Sequence, residues 1–242
     1  MVTTEPAELL AVWESGLALP SGGRALMLHR AARPGVSDDE LRSLPAGGRA
    51  ADLLGLRREL FGERLQVVVE CSACSEAMEF DLDVSGLARW PAERELQVCE
   101  DGYLVEFRLP TIADLEAAAT GVTAAERRLR LLDRCTVSAV RAGEPVGCDS
   151  LPQQVQRRMA ELAERADPAA DLTLNVACPE CGASTPSALD IASYLWSELD
   201  SWARDVLLDV HLLASAYGWS ESQVLALSPL RRRYYLELCA DG

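Results

Sequence analysis

The sequence contains no lysine, and all 23 of its basic residues are arginines. Against them stand 38 Asp and Glu residues, which give a formal net charge of -15 at pH 7. Non-specific nucleic-acid binding depends mainly on cations that release counterions from phosphates, so this acidic excess makes DNA a poor candidate for a partner. Residues 63–242 hold 30 of the acids and 16 of the arginines. The acidity therefore belongs to the middle and C-terminal parts of the chain, where it favours solubility and a basic partner surface.

Targeting segments are also missing from the sequence. The N-terminus has no basic stretch followed by an apolar one, so we expect no secretory signal. No run of 18 apolar residues occurs, which excludes a membrane-spanning helix. We therefore expect a cytoplasmic protein, and in a reducing compartment close cysteine pairs are more often metal ligands than disulfides.

The motifs of several enzyme classes do not occur. There is no Gly-x-Gly-x-x-Gly, P-loop, Gly-x-Ser-x-Gly or His-Glu-x-x-His sequence. The two histidines, His29 and His211, have no adjacent Ser or Cys motif that would make either a convincing base. A zinc deaminase would need His-x-Glu before its cysteine pair, and neither histidine provides it. The sequence therefore predicts a protein without enzymatic activity.

Hydrophobic periodicity predicts an α+β fold with helices at both ends. Residues 1–62 have helical spacing and form an N-terminal helical region, in which Gly22-Gly23 is expected to interrupt two helices. Residues 63–190 form a zinc-ribbon-like β module with an α/β insertion at about 95–170, and residues 191–242 form a C-terminal helical region. We expect these regions to make one interlocked unit.

Local patterns assign most of the remaining elements. Capping boxes are expected at Ser37 and Ser220, and an Asp-Gly turn is expected between two strands of a hairpin. After residue 49, helices are predicted at 50–61, 111–115, 124–135, 152–164, 195–217 and 230–239. The predicted strands are 65–70, 78–84, 95–99, 103–108 and 171–177, with a short extended piece at 184–189. The stretch around Gly143, Pro145 and Gly147 is predicted to be a loop.

Two Cys-x-x-Cys pairs, Cys71/Cys74 and Cys178/Cys181, each follow a predicted strand directly. Two thiolates at this spacing reach one tetrahedral Zn²⁺, and a facing pair completes a four-cysteine site with Zn–S distances of about 2.3 Å. The separation between the pairs exceeds the ~15–20 residues of a compact zinc ribbon, which indicates an inserted module. The sequence predicts a structural Zn²⁺ with no open coordination position, which argues against metal catalysis.

Other roles for the cysteines fit the sequence less well than zinc binding. A thioredoxin-like redox pair should begin a helix, whereas a strand is predicted after Cys74. Disulfides within each pair are disfavoured by a reducing compartment. The remaining cysteines lack ligand spacing and are interpreted as core or loop thiols: Cys99, Cys135, Cys148 and Cys239.

The C-terminal region supplies the candidates for partner binding. Its apolar stripe is most simply core packing, and a surface for a partner helix is the alternative. Three consecutive arginines form the dense basic cluster of this acidic chain. They could contact nucleic acid, but an exposed helix turn or a contact with the chain's own acidic face is favoured. The candidate partner-binding residues are Trp196, Trp202, Tyr217, Trp219, Arg231, Arg232 and Arg233.

Short motifs along nearly the whole chain carry a family resemblance. They are Trp13-Glu14, Leu44-Pro45, 48–52, 56–62, 107–110, 113–115, 167–171, 178–182, 190–196, 211–214, 216–219 and 227–232. Together they resemble the baseplate hub assembly chaperone family of contractile-tailed phages and related contractile injection systems. Two departures from the family pattern occur beside the cysteines, namely Ser75 in place of a glycine and Ser184-Thr185-Pro186 in place of a more aromatic stretch.

The resemblance implies a protein that helps the central hub or inner baseplate of a contractile particle to assemble. We hypothesise that the acidic middle and C-terminal surfaces bind hub or tube-adjacent subunits. The alternative is a zinc-ribbon adaptor with a regulatory or nucleic-acid-associated role, in which residues 231–235 contact nucleic acid.

Overall fold

Helices at both ends of the chain and short strands between them form the α+β fold that the sequence predicts. The computed structural model describes residues 5–83, 86–87, 90–91 and 95–240. The chain divides into a terminal unit, residues 1–34 and 192–242, and a central unit, residues 35–191. The predicted regional boundaries at residues 62 and 190 stay predictions.

The elements of both units follow the predicted ones closely. The helices are α1 (Pro6–Leu17), α2 (Ser21–Ala32), α3 (Asp38–Arg42), α4 (Ala46–Phe61), α5 (Ile112–Ala119), α6 (Ala124–Cys135), α7 (Gln153–Ala166), α8 (Ile191–Tyr217), α9 (Glu221–Leu225) and α10 (Pro229–Ala240). The strands are β1 (Arg64–Glu70), β2 (Ala77–Asp83), β3 (Glu95–Glu100), β4 (Tyr103–Arg108), β5 (Thr136–Arg141), β6 (Glu144–Pro145), β7 (Thr173–Ala177) and β8 (Ser184–Ala188). Val84, the last residue of one predicted strand, lies outside the described residues.

The terminal unit is helical, and its core is the buried stripe of α8. Leu195, Leu199 and Leu213 are almost fully buried. Trp13 of α1 donates a hydrogen bond from Nε1 to Asp200 Oδ1 at 2.8 Å, which fixes α1 against α8. The predicted break at Gly22-Gly23 is wrong, because both glycines lie inside α2 and the chain turns just before it. A glycine costs a helix only about 1 kcal/mol, which the packing of α2 readily offsets.

The main sheet of the central unit has the antiparallel order β3-β4-β5-β6. The predicted Asp-Gly turn joins β3 to β4, with φ of 51° at Asp101 and 77° at Gly102. Val98, Val105 and Phe107 on the sheet pack with residues of α7 in one buried cluster. The loop predicted around residue 143 is instead the tight connection of the β5–β6 hairpin. Strand β5 escapes prediction because it follows α6 without a break and only Ala139 in it is buried.

Two separate hairpins complete the strand inventory of the described chain. β1 pairs with β2 in antiparallel register from Arg64↔Asp83 to Glu70↔Ala77. β7 pairs with β8 from Thr173↔Ala188 to Ala177↔Ser184. Each hairpin therefore ends in a six-residue connection that begins with a cysteine, at residue 71 in one and residue 178 in the other.

The start of α4 is held by residues from distant parts of the central unit. The N–H of Ala46 donates to the carbonyl of Pro110, and the N–H of Gly47 donates to Asp167 Oδ2 at 2.9 Å. A carboxylate at a helix N-terminus accepts from free N–H groups and complements the helix dipole. A Cβ on Gly47 would lie 1.7 Å from Asp167 Oδ1, so this approach requires glycine.

Asp114 at the start of α5 is buried and is the acceptor for several donors. Arg108 donates to it through both terminal nitrogens, Arg134 donates from Nε at 2.9 Å, and the Thr111 hydroxyl donates at 2.7 Å. Burial opposes the charged form, but the hydrogen bonds from Arg108 and Thr111 outweigh it and hold the pKa of Asp114 well below its usual range. Asp114 thus joins β4, α5 and α6.

Replacing Asp114 by Asn should lower the free energy of unfolding by about 1–3 kcal/mol near pH 7, because a charge-assisted network is lost while the half-exposed arginines return to water. A carboxyl with a lowered folded-state pKa stabilises the fold above its unfolded pKa of about 4 and loses that contribution as the pH falls. The difference between wild type and Asp114→Asn should therefore shrink below about pH 4 in urea titrations.

A matched control lies on the same helix. Glu116 forms an ion pair with Arg42 at 3.5 Å, and both side chains are about half exposed. Glu116→Gln should change the free energy of unfolding by less than about 1 kcal/mol at any pH. Equal effects of the two substitutions would show that Asp114 has no special structural role.

Candidate metal centre

The two Cys-x-x-Cys turns have the same backbone hydrogen bonds. In the first turn Cys71 N donates to the Glu76 carbonyl at 2.8 Å, and Ser75 N donates to the Cys71 carbonyl at 2.9 Å. In the second turn Cys178 N donates to the Ala183 carbonyl at 2.8 Å, and Gly182 N donates to the Cys178 carbonyl at 2.9 Å. Each hairpin thus presents two sulfur atoms in the same local geometry.

The fifth residue of each turn adopts a left-handed backbone conformation. Gly182 has a φ of 73°, which glycine adopts at no steric cost. Ser75, at the equivalent position, has a φ of 60° although it carries a Cβ. The departure from the family pattern therefore changes the strain of the turn and not its geometry.

The four predicted ligands form one cluster, in which all sulfur atoms lie within 4.8 Å of one another. The Sγ–Sγ distance is 3.6 Å both between Cys71 and Cys181 and between Cys74 and Cys178. Sulfurs at ~2.3 Å from a tetrahedrally coordinated metal are about 3.8 Å apart, so the spacing matches that of a metal site. The arrangement therefore joins the β1–β2 and β7–β8 hairpins.

Burial differs in the same way within each pair. Cys71 and Cys178, the first cysteines, are 1% and 3% exposed. Cys74 and Cys181, the second cysteines, are exposed. The cluster therefore has an inner side within the central unit and an outer side that solvent reaches.

The protonation of the thiols depends on their mutual contacts. Backbone N–H groups of Ala73 and Cys74 lower the pKa of Cys71 to about 6. The Glu76 N–H also lowers the pKa of Cys74, but the neighbouring sulfurs, Cys181 first, outweigh it and raise that pKa to about 12. The sulfurs thus compete for negative charge, and a divalent cation among them would remove that competition and hold all four as thiolates.

Four thiolate sulfurs at tetrahedral spacing are the donor set of a structural metal site. The residues therefore fit a metal, which Cys71, Cys74, Cys178 and Cys181 would hold. With four protein ligands a tetrahedral ion has no position left for water or a substrate. Such a site stabilises the fold by joining segments of the chain.

Thr185 supports the cluster from the second hairpin, and the sequence pattern does not predict it. Its hydroxyl accepts a hydrogen bond from Ser72 N at 3.2 Å and lies 3.9 Å from Cys71 Sγ. Thr185 is buried, so its polar atom is committed to these contacts. Its position four residues after Cys181, within the stretch that departs from the family pattern, does not by itself indicate this role.

The aromatic residues predicted to bind partners lie in the terminal unit. Trp196 and Trp202 are half-buried on α8, and Arg24 lies 4.5 Å above the Trp196 ring. Tyr217 and Trp219 stack with centroids 4.8 Å apart, and Tyr235 joins them edge-on. The structure thus brings Tyr217 and Trp219 into one aromatic cluster and places the other two along α8.

The three predicted arginines of α10 differ in their environments. Arg232 is buried and its Nε lies 3.0 Å from Asp209 Oδ2. Its positive charge is therefore paired with a carboxylate inside the terminal unit. Arg233 is exposed and pairs with Glu237 at 3.0 Å. Arg231 is exposed and has no ion pair among the described residues. A partner role for these three arginines stays a prediction.

The remaining cysteines lie outside the cluster as free thiols. Cys135 is buried, and its burial raises its pKa to about 11. Cys148 is half-buried and donates to Asp133 Oδ1 at 3.2 Å. Cys99 is exposed on β3, and Cys239 is half-buried on α10.

In the described ranges, no helix combines the length and the apolar character that a bilayer crossing demands.

Comparison with protein-family models matched the chain to the family described as T4 bacteriophage base plate protein. The match covers residues 34–196, which include all of the central unit and the four clustered cysteines. Searches of curated proteins and of solved structures gave no significant match.

Exchanging the residues at the left-handed positions of the two turns should have opposite effects. Ser75→Gly should stabilise the metal-loaded chain by about 0.5–1 kcal/mol, because the strain of φ 60° exceeds the added backbone entropy of glycine. Gly182→Ser should destabilise it by about 1 kcal/mol, since a Cβ there meets no atom within 4 Å and only the backbone is strained. Urea unfolding measures both changes, and destabilisation by Ser75→Gly would contradict the strain argument.

Proposed function

Because the chain belongs to the T4 bacteriophage base plate protein family, we propose that this phage baseplate-associated structural protein is an assembly chaperone of a contractile, phage tail-like injection system. In this role it binds hub or inner baseplate subunits in the cytoplasm while the particle is built. The observation that carries the proposal is the family match over residues 34–196. The hub-chaperone motifs that match the sequence, including Asp167 and the Cys178 turn, lie mostly in the same range.

The proposed metal is a structural Zn²⁺ held by the four clustered cysteines. Four sulfur ligands suit zinc, and the 3.6 Å sulfur contacts suit its tetrahedral geometry. Because the four ligands leave no open position, the proposed role is not enzymatic. The ion keeps the β1–β2 and β7–β8 hairpins together and so preserves the surface that a partner contacts.

The β1–β2 hairpin offers an acidic surface to a partner. Glu79, Asp81 and Asp83 alternate with apolar residues along β2, and all three are exposed. This surface begins directly after the first cysteine turn, so the metal would fix its position. We propose that it contributes to binding a basic face of a hub or tube-adjacent subunit, as the acidic excess after residue 62 suggests.

The nucleic-acid alternative is less well supported. It depended on the basic cluster of α10, where Arg232 pairs with Asp209 and Arg233 pairs with Glu237. Phosphate binding needs cations that are free to release counterions, and Arg231 is the one member of the cluster without an ion pair among the described residues. We therefore give the baseplate role priority.

Elemental analysis of the purified chain should find one Zn²⁺ and no iron per molecule. Cys71→Ser or Cys178→Ser should lose the metal and lower the free energy of unfolding by several kcal/mol, because metal binding is coupled to folding. Cys99→Ser, at an exposed cysteine outside the cluster, is the matched control and should keep the metal. A stable, metal-free wild type, or reactive thiols at Cys71 and Cys178, would favour a redox pair instead.

The partner proposal is tested by affinity purification of the tagged full chain from cells that produce the contractile particle. We expect hub or inner baseplate subunits to co-purify at low salt and to be lost as salt rises, because exposed charges are screened. A gradient that separates complete particles from free complexes distinguishes an assembly chaperone, found only on intermediates, from a resident component. Recovery of no baseplate protein at low salt would contradict the proposal.

A matched pair of variants tests the acidic surface in the same assay. Neutralising Glu79 and Asp81 with Gln and Asn should reduce recovery of the partner. Neutralising Glu144 and Glu164, exposed carboxylates on β6 and α7, removes the same charge elsewhere and should leave recovery unchanged. Equal losses in both variants would indicate a dependence on net charge and not on the hairpin surface.

A further inference from the structure

An apolar groove lies on the central unit between α6, α7 and the end of β4. It has a volume of about 230 Å³. Its apolar lining includes Phe107, Pro110, Leu132, Met159, Ala160 and Ala163. Met159 and Phe107 belong to the buried core, whereas Ala160 is exposed, so the groove leads from the surface to the core.

The shape and lining of the groove favour a polypeptide over a small molecule. Pockets for small ligands place several polar groups toward the ligand. The surface of this groove is almost wholly apolar. It continues into a second depression of about 440 Å³, which shares Arg128, Leu132 and Gln156 with it and reaches Ala124 at the start of α6. The two together follow the twelve residues of α6, about 18 Å of helix.

Three polar side chains line the groove, and two of them are already engaged. Arg108 donates to Asp114, and Gln156 Nε2 donates to the Leu151 carbonyl at 2.8 Å. Arg128 also lines the groove, is exposed, and has no hydrogen bond or ion pair in the described part of the chain. The edge of the groove therefore carries one uncompensated positive charge.

Helix α6 carries further arginines besides Arg128. The helix has four arginines and two acids in a chain whose net charge is -15. Arg127 and Arg130 donate to neutral acceptors, the Gly121 carbonyl and the Thr120 hydroxyl, so their charges are not neutralised there. Arg127 and Arg130 do not line the groove, so Arg128 is the unpaired cation at its edge, and an apolar segment that carries a carboxylate would complement it.

We propose that this groove binds an acidic amphipathic helix of another protein subunit. One or two large apolar side chains of that helix enter the groove over Met159, and a carboxylate beside them pairs with Arg128. Helix-in-groove recognition uses apolar anchors at i, i+3 or i+4, and a groove that follows three turns of α6 matches that spacing. The inference rests on the proposed function for the source of the helix, which would be a baseplate subunit.

Binding is tested on the metal-loaded full chain with ¹³C-labelled methionine methyl groups. The chain has four methionines, and Met159 is the one that lines the groove. The probes are two synthetic amphipathic peptides of about 16 residues, long enough to form a helix, with identical Leu and Phe faces. One carries Glu on its polar face and the other carries Lys. We expect the Glu peptide to shift the Met159 signal and the Lys peptide to leave it unchanged.

Three variants separate the groove from general charge. Arg128→Glu should weaken binding of the Glu peptide about fivefold or more, the effect of about 1 kcal/mol. Arg165→Glu makes the same charge change on α7 at an exposed arginine outside the groove and should have no effect. Ala160→Phe should fill the groove and abolish binding while the chain stays folded.

Several outcomes would overturn the proposal. They are an unshifted Met159 signal, equal or tighter binding of the Lys peptide, and a Met159 shift that follows protein concentration alone and so indicates a second copy of this chain. Affinity purification then separates the two proposals. A chain that binds the Glu peptide but recovers no baseplate protein contradicts only the proposed function. A chain that recovers baseplate proteins but does not bind the peptide contradicts only the groove.

Discussion

The sulfur contact between Cys71 and Cys181 joins positions that are 110 residues apart in the chain. Neither the β1–β2 hairpin nor the β7–β8 hairpin belongs to the four-stranded sheet, and a two-stranded hairpin is marginally stable by itself. Closing a loop of this length costs conformational entropy that a few hydrogen bonds do not offset. A metal held by the four sulfurs would supply the missing constraint, and the main sheet with α5, α6 and α7 occupies the loop that it would close.

A second set of contacts explains motifs that contain no ligand. Ala46 N donates to the Pro110 carbonyl and Ile112 N donates to the Leu44 carbonyl at the start of α4, where Asp167 accepts from Gly47. Arg108 and Asp114, from two further motifs, pair beside them. Residues far apart in the sequence thus meet to satisfy the free N–H groups of two helices. These motifs hold the starts of α4 and α5 in place within the central unit, and the cysteines bring its two hairpins together.

Much of this architecture could be predicted because its signals are local. The capping boxes at Ser37 and Ser220 and the Asp101-Gly102 turn depend on neighbours within four residues, and each forms in the structure. The convergence of the two cysteine pairs could also be predicted, because four soft ligands leave few other solutions. Strand β5 could not, since its pairing with β4 is tertiary and its own pattern is weak. Thr185 and the groove beside α6 depend on side chains from several elements, which no spacing in the sequence reveals.

The inner and outer sides of the cysteine cluster have a consequence for how the protein opens. Cys74 and Cys181 are exposed, so a competing chelator would reach a metal held by the cluster from that side first. The main sheet keeps its own core around Val105 and Val155, which owes nothing to the sulfurs. Loss of such an ion would therefore free the two hairpins, whose amides would exchange with solvent while those of the sheet stayed protected. A metal at the cysteines would thus set the opening free energy of the hairpins and not that of the main sheet.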